Sequence, residues 1–183
     1  MTTPTALERL LLDRSVRHGD FVLASGKHSS YYIDARPTTM SAAGQRLIGA
    51  LGLEAIRQAG WPAVAVGGLT MGADPVAYAI ARASADDPPH LDAFSVRKAT
   101  KDHGTGRRIE GNFTTTGPVV VVEDVITSGN SALHAIEAVL EAGGTVAGVL
   151  AVVDRGEGGK AMLEAGGYSV VALTTTARLG VGD

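Results

Sequence analysis

The chain contains no cysteine, which rules out disulfides, thiol nucleophiles and thiolate metal sites and fits a reducing, cytoplasmic setting. Aromatic residues are scarce, at 4%, with a single tryptophan. There is no basic excess: 16 Lys and Arg stand against 19 Asp and Glu, for a net charge of −3. A nucleic-acid-binding surface is therefore not expected. No apolar run reaches the roughly 18 residues that a membrane span needs. The opening MTTPTALERLLLDRS mixes charges among its leucines, unlike a cleavable signal. The Walker loop, the Gly-x-Gly-x-x-Gly fingerprint and the Gly-x-Ser-x-Gly elbow are also absent. His18, His28, His90 and His134 lack metal-ligand spacing and read as structural or surface residues.

What is present is a chain of 183 residues, 45% hydrophobic and with 24 glycines. That is enough for one compact α/β domain with a sizeable core. Thr5 and Glu8 match a capping box, so a short amphipathic helix opens the fold. Residues 21–24 and 31–34 read as two strands joined by the turn at 25–29. Helical spacing runs over 41–59 and ends at Gly60. A buried strand over 63–66 precedes Gly67-Gly68 and a helix near 74–83. Residues 84–89 read as a surface loop because Pro88-Pro89 closes them. Strands follow at 91–96, 119–122, 145–153 and 168–173. A helix carries Ala132, Leu133, Ile136, Val139 and Leu140 on one face and stops at Gly143-Gly144. Strands alternating with helices imply a parallel sheet with right-handed crossovers. Trp61 is expected in the core.

Residues 119–131 read VVVVEDVITSGNS. Four valines suit a strand buried on both faces. Glu123 and Asp124 then stand where such a strand ends, the usual ligand edge of an open α/β sheet. Val125, Ile126, Thr127, Ser128, Gly129, Asn130 and Ser131 follow, offering N–H groups and hydroxyls at a helix start, which suits a phosphate. Either half alone is common in ordinary βα turns. Together, carboxylates beside a phosphate cradle point to a ligand with both hydroxyls and a phosphomonoester, such as a ribose 5-phosphate.

Three further groups surround this signal. Arg97, Lys98, Lys101 and His103 place four potential cations within seven residues of a polar, glycine-containing segment over 98–111, long enough to be a lid over a polyanion. Arg155 directly follows a strand, where a structural ion pair is the commoner outcome, though a guanidinium there can also grip a carboxylate bidentately. Tyr31 and Tyr32 face opposite ways on one strand, so one is core and the other is free to stack on a ligand.

These motifs resemble those of the type I phosphoribosyltransferases, in order from about residue 20 to residue 155. Residues 119–131 look like the phosphoribosyl-pyrophosphate signature. The Arg-Lys-x-x-Lys-Asp-His-Gly lid at 97–104 and the Ser-Gly-Lys-x-Ser-x-Tyr-Tyr-x-Asp segment at 25–34 resemble the orotate-using members. The resemblance implies a parallel sheet flanked by helices, with a small N-terminal hood over about 1–40 and a flexible catalytic loop over 98–111, all in one domain over 1–183. It implies transfer of phosphoribose from phosphoribosyl pyrophosphate to orotate, with Mg2+, in UMP biosynthesis. By the same resemblance, Glu123 and Asp124 hold the ribose hydroxyls and Val125 to Ser131 wrap the 5-phosphate. Arg97, Lys98, Lys101 and His103 meet the pyrophosphate, with Lys101, His103 and Asp124 as the catalytic set. Tyr32, Ile33, Thr127 and Arg155 receive orotate, and no side chain binds the metal directly, because it is carried on the pyrophosphate and ribose hydroxyls. A homodimer sharing lids across subunits is implied as well, with no nucleic-acid or membrane partner. A transferase for another base, or a regulator that only senses the donor, is the alternative. The chain departs from the pattern at Ala24, where many relatives carry lysine, and at Thr70-Met71, where many carry a Tyr-Lys pair. The Gly67-Gly68-Leu69-Thr70 backbone is expected to approach the pyrophosphate.

Overall fold

The computed structural model describes residues 5–22, 26, 28–98 and 108–181. Helix α1 (Ala6–Arg14) begins at the expected capping box: the Glu8 N–H donates to Thr5 Oγ1, and the Glu8 carboxylate accepts from the Thr5 N–H. Strands β1 (Val16–Val22) and β2 (His28–Ile33) form an antiparallel pair. The short helix α2 (Arg36–Thr39) leads into α3 (Ala42–Gln58), capped by Ser41. Then come β3 (Ala65–Leu69), α4 (Ala73–Ala85), β4 (Asp92–Val96) and β5 (Ile109–Gly111). The chain continues with β6 (Val119–Ile126), α5 (Asn130–Glu141), β7 (Val146–Asp154) and α6 (Gly159–Ala165). It closes with β8 (Val170–Thr175) and α7 (Thr176–Leu179).

Among the described residues, β5-β4-β3-β6-β7-β8 make one sheet, parallel throughout except for β5. The valines of β6 explain how the sheet is held. Val120 and Val122 enter the core under α1, α3 and α4, while Val119 and Val121 enter a second core under α5. Each strand residue serves one face in turn, so a strand apolar at every position has to be covered on both sides.

The structure corrects several boundaries. β1 starts at Val16, well before the expected residue 21. Arg17, His18, Gly19 and Asp20 are exposed and show no alternation, but Arg17 and His18 pair with Tyr32 and Tyr31 of β2, and the strand resumes pairing at Phe21 after an irregularity at Gly19 and Asp20. β3 includes Gly67 and Gly68 instead of ending before them. A Cβ on Gly67 would lie 2.3 Å from the Phe94 carbonyl oxygen, and one on Gly68 would lie 2.2 Å from that of Val122, so close packing and not a turn requires them. Ser84 and Ala85 belong to α4, where the buried Ser84 hydroxyl accepts the Leu91 N–H at 2.8 Å. The expected 98–111 loop ends in β5, which pairs with β4. β6 runs on through Glu123 and Asp124 because β7 pairs with it as far as Ile126. β8 lies two residues later than expected. Leu140 faces solvent, 49% exposed, and Trp61 is only half-buried. The short helices α2 and α7 had no periodicity to reveal them.

Candidate active site

The C-terminal end of β6 gathers the groups that the sequence singled out. Glu123 is buried, 5% exposed. Its Oε1 accepts a long bond from the Asp124 N–H at 3.3 Å, and its Oε2 has no partner among the described residues. Burial first, and the neighbouring Asp124 carboxylate second, push the Glu123 pKa well up, while the Lys98 charge pulls the other way. Asp124 is half-buried, and its Oδ1 accepts the Val125 N–H at 2.8 Å. The other side of the same carboxylate lies against Gly72, at the N-terminus of α4.

Beyond Asp124 a narrow pocket is lined by Glu123 and residues 125–132. Gly129 caps α5 in the left-handed conformation, φ 84°, without a side-chain cap bond. That turn needs glycine, and it leaves the first N–H groups of α5 for an anion. The loop is braced from behind: the Gly159 N–H donates to the Thr127 carbonyl at 2.9 Å.

Arg155 closes the crevice from β7. It is 8% exposed, its guanidinium lies 5.2 Å from the Tyr31 ring centroid, and Nη2 pairs with Glu157 at 3.0 Å. Its Nε is buried with no partner among the described residues. Tyr31 is thus the core member of its pair, and Tyr32, 40% exposed, stacks on Phe21 at 5.7 Å. Ile33 is buried beside them.

Some expected residues stand apart or differ in their surroundings. Arg97 is committed to Glu110, with Nε donating to Oε1 at 3.0 Å. Lys101, His103, Ala24 and Lys27 lie outside the described residues. The Gly67-Gly68 pair is buried under Phe94 and Val122, so the bare backbone beside Asp124 belongs to Gly72. Sequence reasoning missed Gly72 and Glu157, and it also missed Arg36. The Arg36 Nε and Nη2 fork onto Asp34 at 2.8 and 2.9 Å, and its pKa is raised first by Asp34 and in smaller part by Tyr32 and Asp124. The Asp-x-Arg spacing at 34–36 was the available signal. It predicts the ion pair but not the weaker charge influence of Asp124.

Comparison with known proteins agrees with this geometry. The chain matches no protein-family profile. It is 47% identical over 175 residues to an orotate phosphoribosyltransferase of Corynebacterium glutamicum (strain R), covering 96% of this chain and 92% of the other. The crystal structure of Mycobacterium tuberculosis H37Rv orotate phosphoribosyltransferase in complex with Fe(III) dicitrate matches with a TM-score of 0.85 at 44% identity, over 96% of this chain and 97% of that one. The same enzyme in complex with 5-phospho-alpha-D-ribosyl 1-diphosphate matches at 0.81 and 41% identity, over 96% and 97%. With the acidic pair, the phosphate cradle and the crevice arginine on one sheet edge, and relatives of this identity over nearly its whole length, the chain belongs to the orotate phosphoribosyltransferase family.

Proposed function

We propose that this chain transfers the 5-phosphoribosyl group from phosphoribosyl pyrophosphate to orotate, giving orotidine 5′-monophosphate and pyrophosphate in UMP biosynthesis. The observation that carries the reading is the β6–α5 junction, where a buried carboxylate with an oxygen unpartnered among the described residues stands beside a helix start with no side-chain cap. A ribose 5-phosphate answers both needs, since its hydroxyls donate to Glu123 and Asp124 and its phosphate accepts from the cradle formed by Val125, Ile126, Thr127, Ser128, Gly129, Asn130 and Ser131. Arg155 is the acceptor's anchor. Its unpartnered Nε suits the orotate carboxylate, with the Tyr32-Ile33 backbone and Thr127 along the base. Lys98 and Arg97 face the pyrophosphate, joined by Lys101 and His103.

Bond breaking ahead of attack leaves positive charge on the ribose and negative charge on the departing pyrophosphate. The acidic pair holds the sugar against the first, and the lid cations stabilise the second. Orotate N1 is already anionic at neutral pH, so the site needs no strong base. Among the described residues no three acidic or imidazole groups converge as a metal cage. Mg2+ would be carried on the substrate, whose ribose hydroxyls Glu123 and Asp124 would hold. When bound, it neutralises pyrophosphate charge.

The same reading makes residues 1–183 one domain, with a hood mainly over 1–40 and the lid between Lys98 and β5. It makes the protein a cytoplasmic homodimer with lids shared between subunits. Met40, Met71 and Tyr78 are exposed, apolar surface of the kind that a second subunit covers. Among the described residues no helix is long and apolar enough to cross a membrane. The test is a spectrophotometric assay of orotate consumption with phosphoribosyl pyrophosphate and magnesium, with uracil and hypoxanthine as controls. Consumption of orotate alone is expected. Equal use of uracil, or no pyrophosphate release, overturns the reading.

A further inference from the structure

Gly72 occupies the N-cap of α4 with φ −66° and ψ −42°, ordinary right-handed values that any residue adopts. No side chain caps this helix, although Ser, Thr, Asp or Asn are favoured at such a position. Backbone conformation therefore gives no reason for a glycine. The neighbouring strand does. A Cβ at residue 72 would meet Asp124 Oδ1 at 2.7 Å, Cγ at 2.9 Å and Oδ2 at 3.0 Å. Three such similar distances mean that the carboxylate lies broadside against the Gly72 Cα. The same Oδ1 takes the Val125 N–H at 2.8 Å, so displacing the carboxylate also disturbs that bond.

We propose that Gly72 is a positioning residue for phosphoribosyl transfer: its missing side chain fixes where the Asp124 carboxylate meets the ribose. The inference rests on the reading of Asp124 as a ribose-hydroxyl acceptor and adds the element that locates it. The contrast with β3 sharpens the point. Side chains at Gly67 and Gly68 would strike backbone carbonyls at 2.3 and 2.2 Å and would damage the sheet. At residue 72 the three atoms nearest to an added Cβ all belong to the end of one short side chain. The fold absorbs that Cβ by turning Asp124 aside, and the position of the α4 N-terminus, which favours an anion there, is otherwise kept.

The experiment is a double-mutant cycle in the full chain with Gly72→Ala, Asp124→Ala and the pair. It reads thermal midpoint, steady-state constants for both substrates, and calorimetric affinity for phosphoribosyl pyrophosphate with magnesium. Gly72→Ala is expected to fold with an unchanged or higher midpoint, since alanine suits these dihedrals. Its kcat/KM for the donor should fall by roughly 10- to 100-fold, the scale of a sub-ångström to ångström misplacement, with the orotate KM within about twofold of the parent. In the Asp124→Ala background the same substitution should change donor affinity less than about twofold, because the two act as one unit. An undiminished loss in that background overturns the inference, as does a silent Gly72→Ala beside a damaging Asp124→Ala, or a collapsed midpoint that shows the glycine serving the fold. A silent Asp124→Ala overturns the reading of Asp124 itself, and the inference falls with it.

Discussion

Glu8 and Glu123 are two buried glutamates, 2% and 5% exposed, in opposite circumstances. At the seam between α1 and the β8–α7 edge, Glu8 Oε1 accepts from Thr174 Oγ1 at 2.9 Å and from Arg178 Nε at 2.7 Å, and Oε2 accepts from the Thr5 N–H at 2.7 Å. Burial alone would raise its pKa, yet the hydrogen bonds outweigh burial and lower it to about 2. At the end of β6, Glu123 has one oxygen without a partner among the described residues, and burial with the adjacent Asp124 drives its pKa up. The protein completes the shell of the first carboxylate and leaves the second open. A closed buried carboxylate is a brace, whereas an open one costs stability until a ligand supplies donors.

The strongest way to break this comparison is Glu123→Gln. It should lower kcat/KM for the donor by roughly 10²- to 10³-fold, as for a lost oxyanion-hole contact, while raising the thermal midpoint at neutral pH. A gain of about 1 kcal/mol corresponds to about 2–4 °C in a chain of this size. Calorimetry and initial rates on the same preparation check both, and a lowered midpoint would erase the contrast.

Glu8→Gln should do the reverse, costing about 1.5–3 kcal/mol of stability from charged hydrogen bonds with kcat per folded molecule unchanged. The signs with pH also differ. The depressed Glu8 pKa contributes stability that is complete above its ordinary value of 4.5 and is lost as pH falls toward about 2. The raised Glu123 pKa works the other way, favouring the fold at low pH and weakening it as pH rises through the folded value. Urea unfolding of both variants across acidic pH should flatten opposite limbs of the profile.

The smallest effect is expected at Glu157. Glutamine there keeps an oxygen for Arg155 Nη2 but removes the charge that competes with an incoming carboxylate. The orotate KM should fall about two- to fivefold, the scale of a partly exposed ion pair, with the donor KM unmoved. A rise in the orotate KM would mean that the Glu157 charge orients Arg155 and does not oppose its ligand.

How far the sequence revealed all this depended on whether a signal was local. The Thr5–Glu8 cap and the paired-face valines of β6 are readable because their partners lie within a few residues or their pattern is uninterrupted. The acidic pair and the hydroxyl-rich run after it were legible for the same reason. β1 was shortened because exposed polar residues form a strand only through pairing with β2. Gly67 and Gly68 were read as a breaker because the crowding that demands them comes from Phe94 and Val122. Gly72 against Asp124 joins residues far apart in the chain, and no spacing rule encodes such an approach.

The seam that Glu8 closes has a consequence for biosynthesis. Its partners Thr174 and Arg178 lie 166 and 170 residues downstream, and Leu7 and Leu11 share their burial with Leu179 and Val181. At translation speeds of about 5–20 residues per second, the part of this seam supplied by β8 and α7 follows α1 by on the order of 10–30 seconds. Helix α1 packs on α3 as well, so its leucines can find partial shelter early, while the buried Glu8 carboxylate must wait for Thr174 and Arg178.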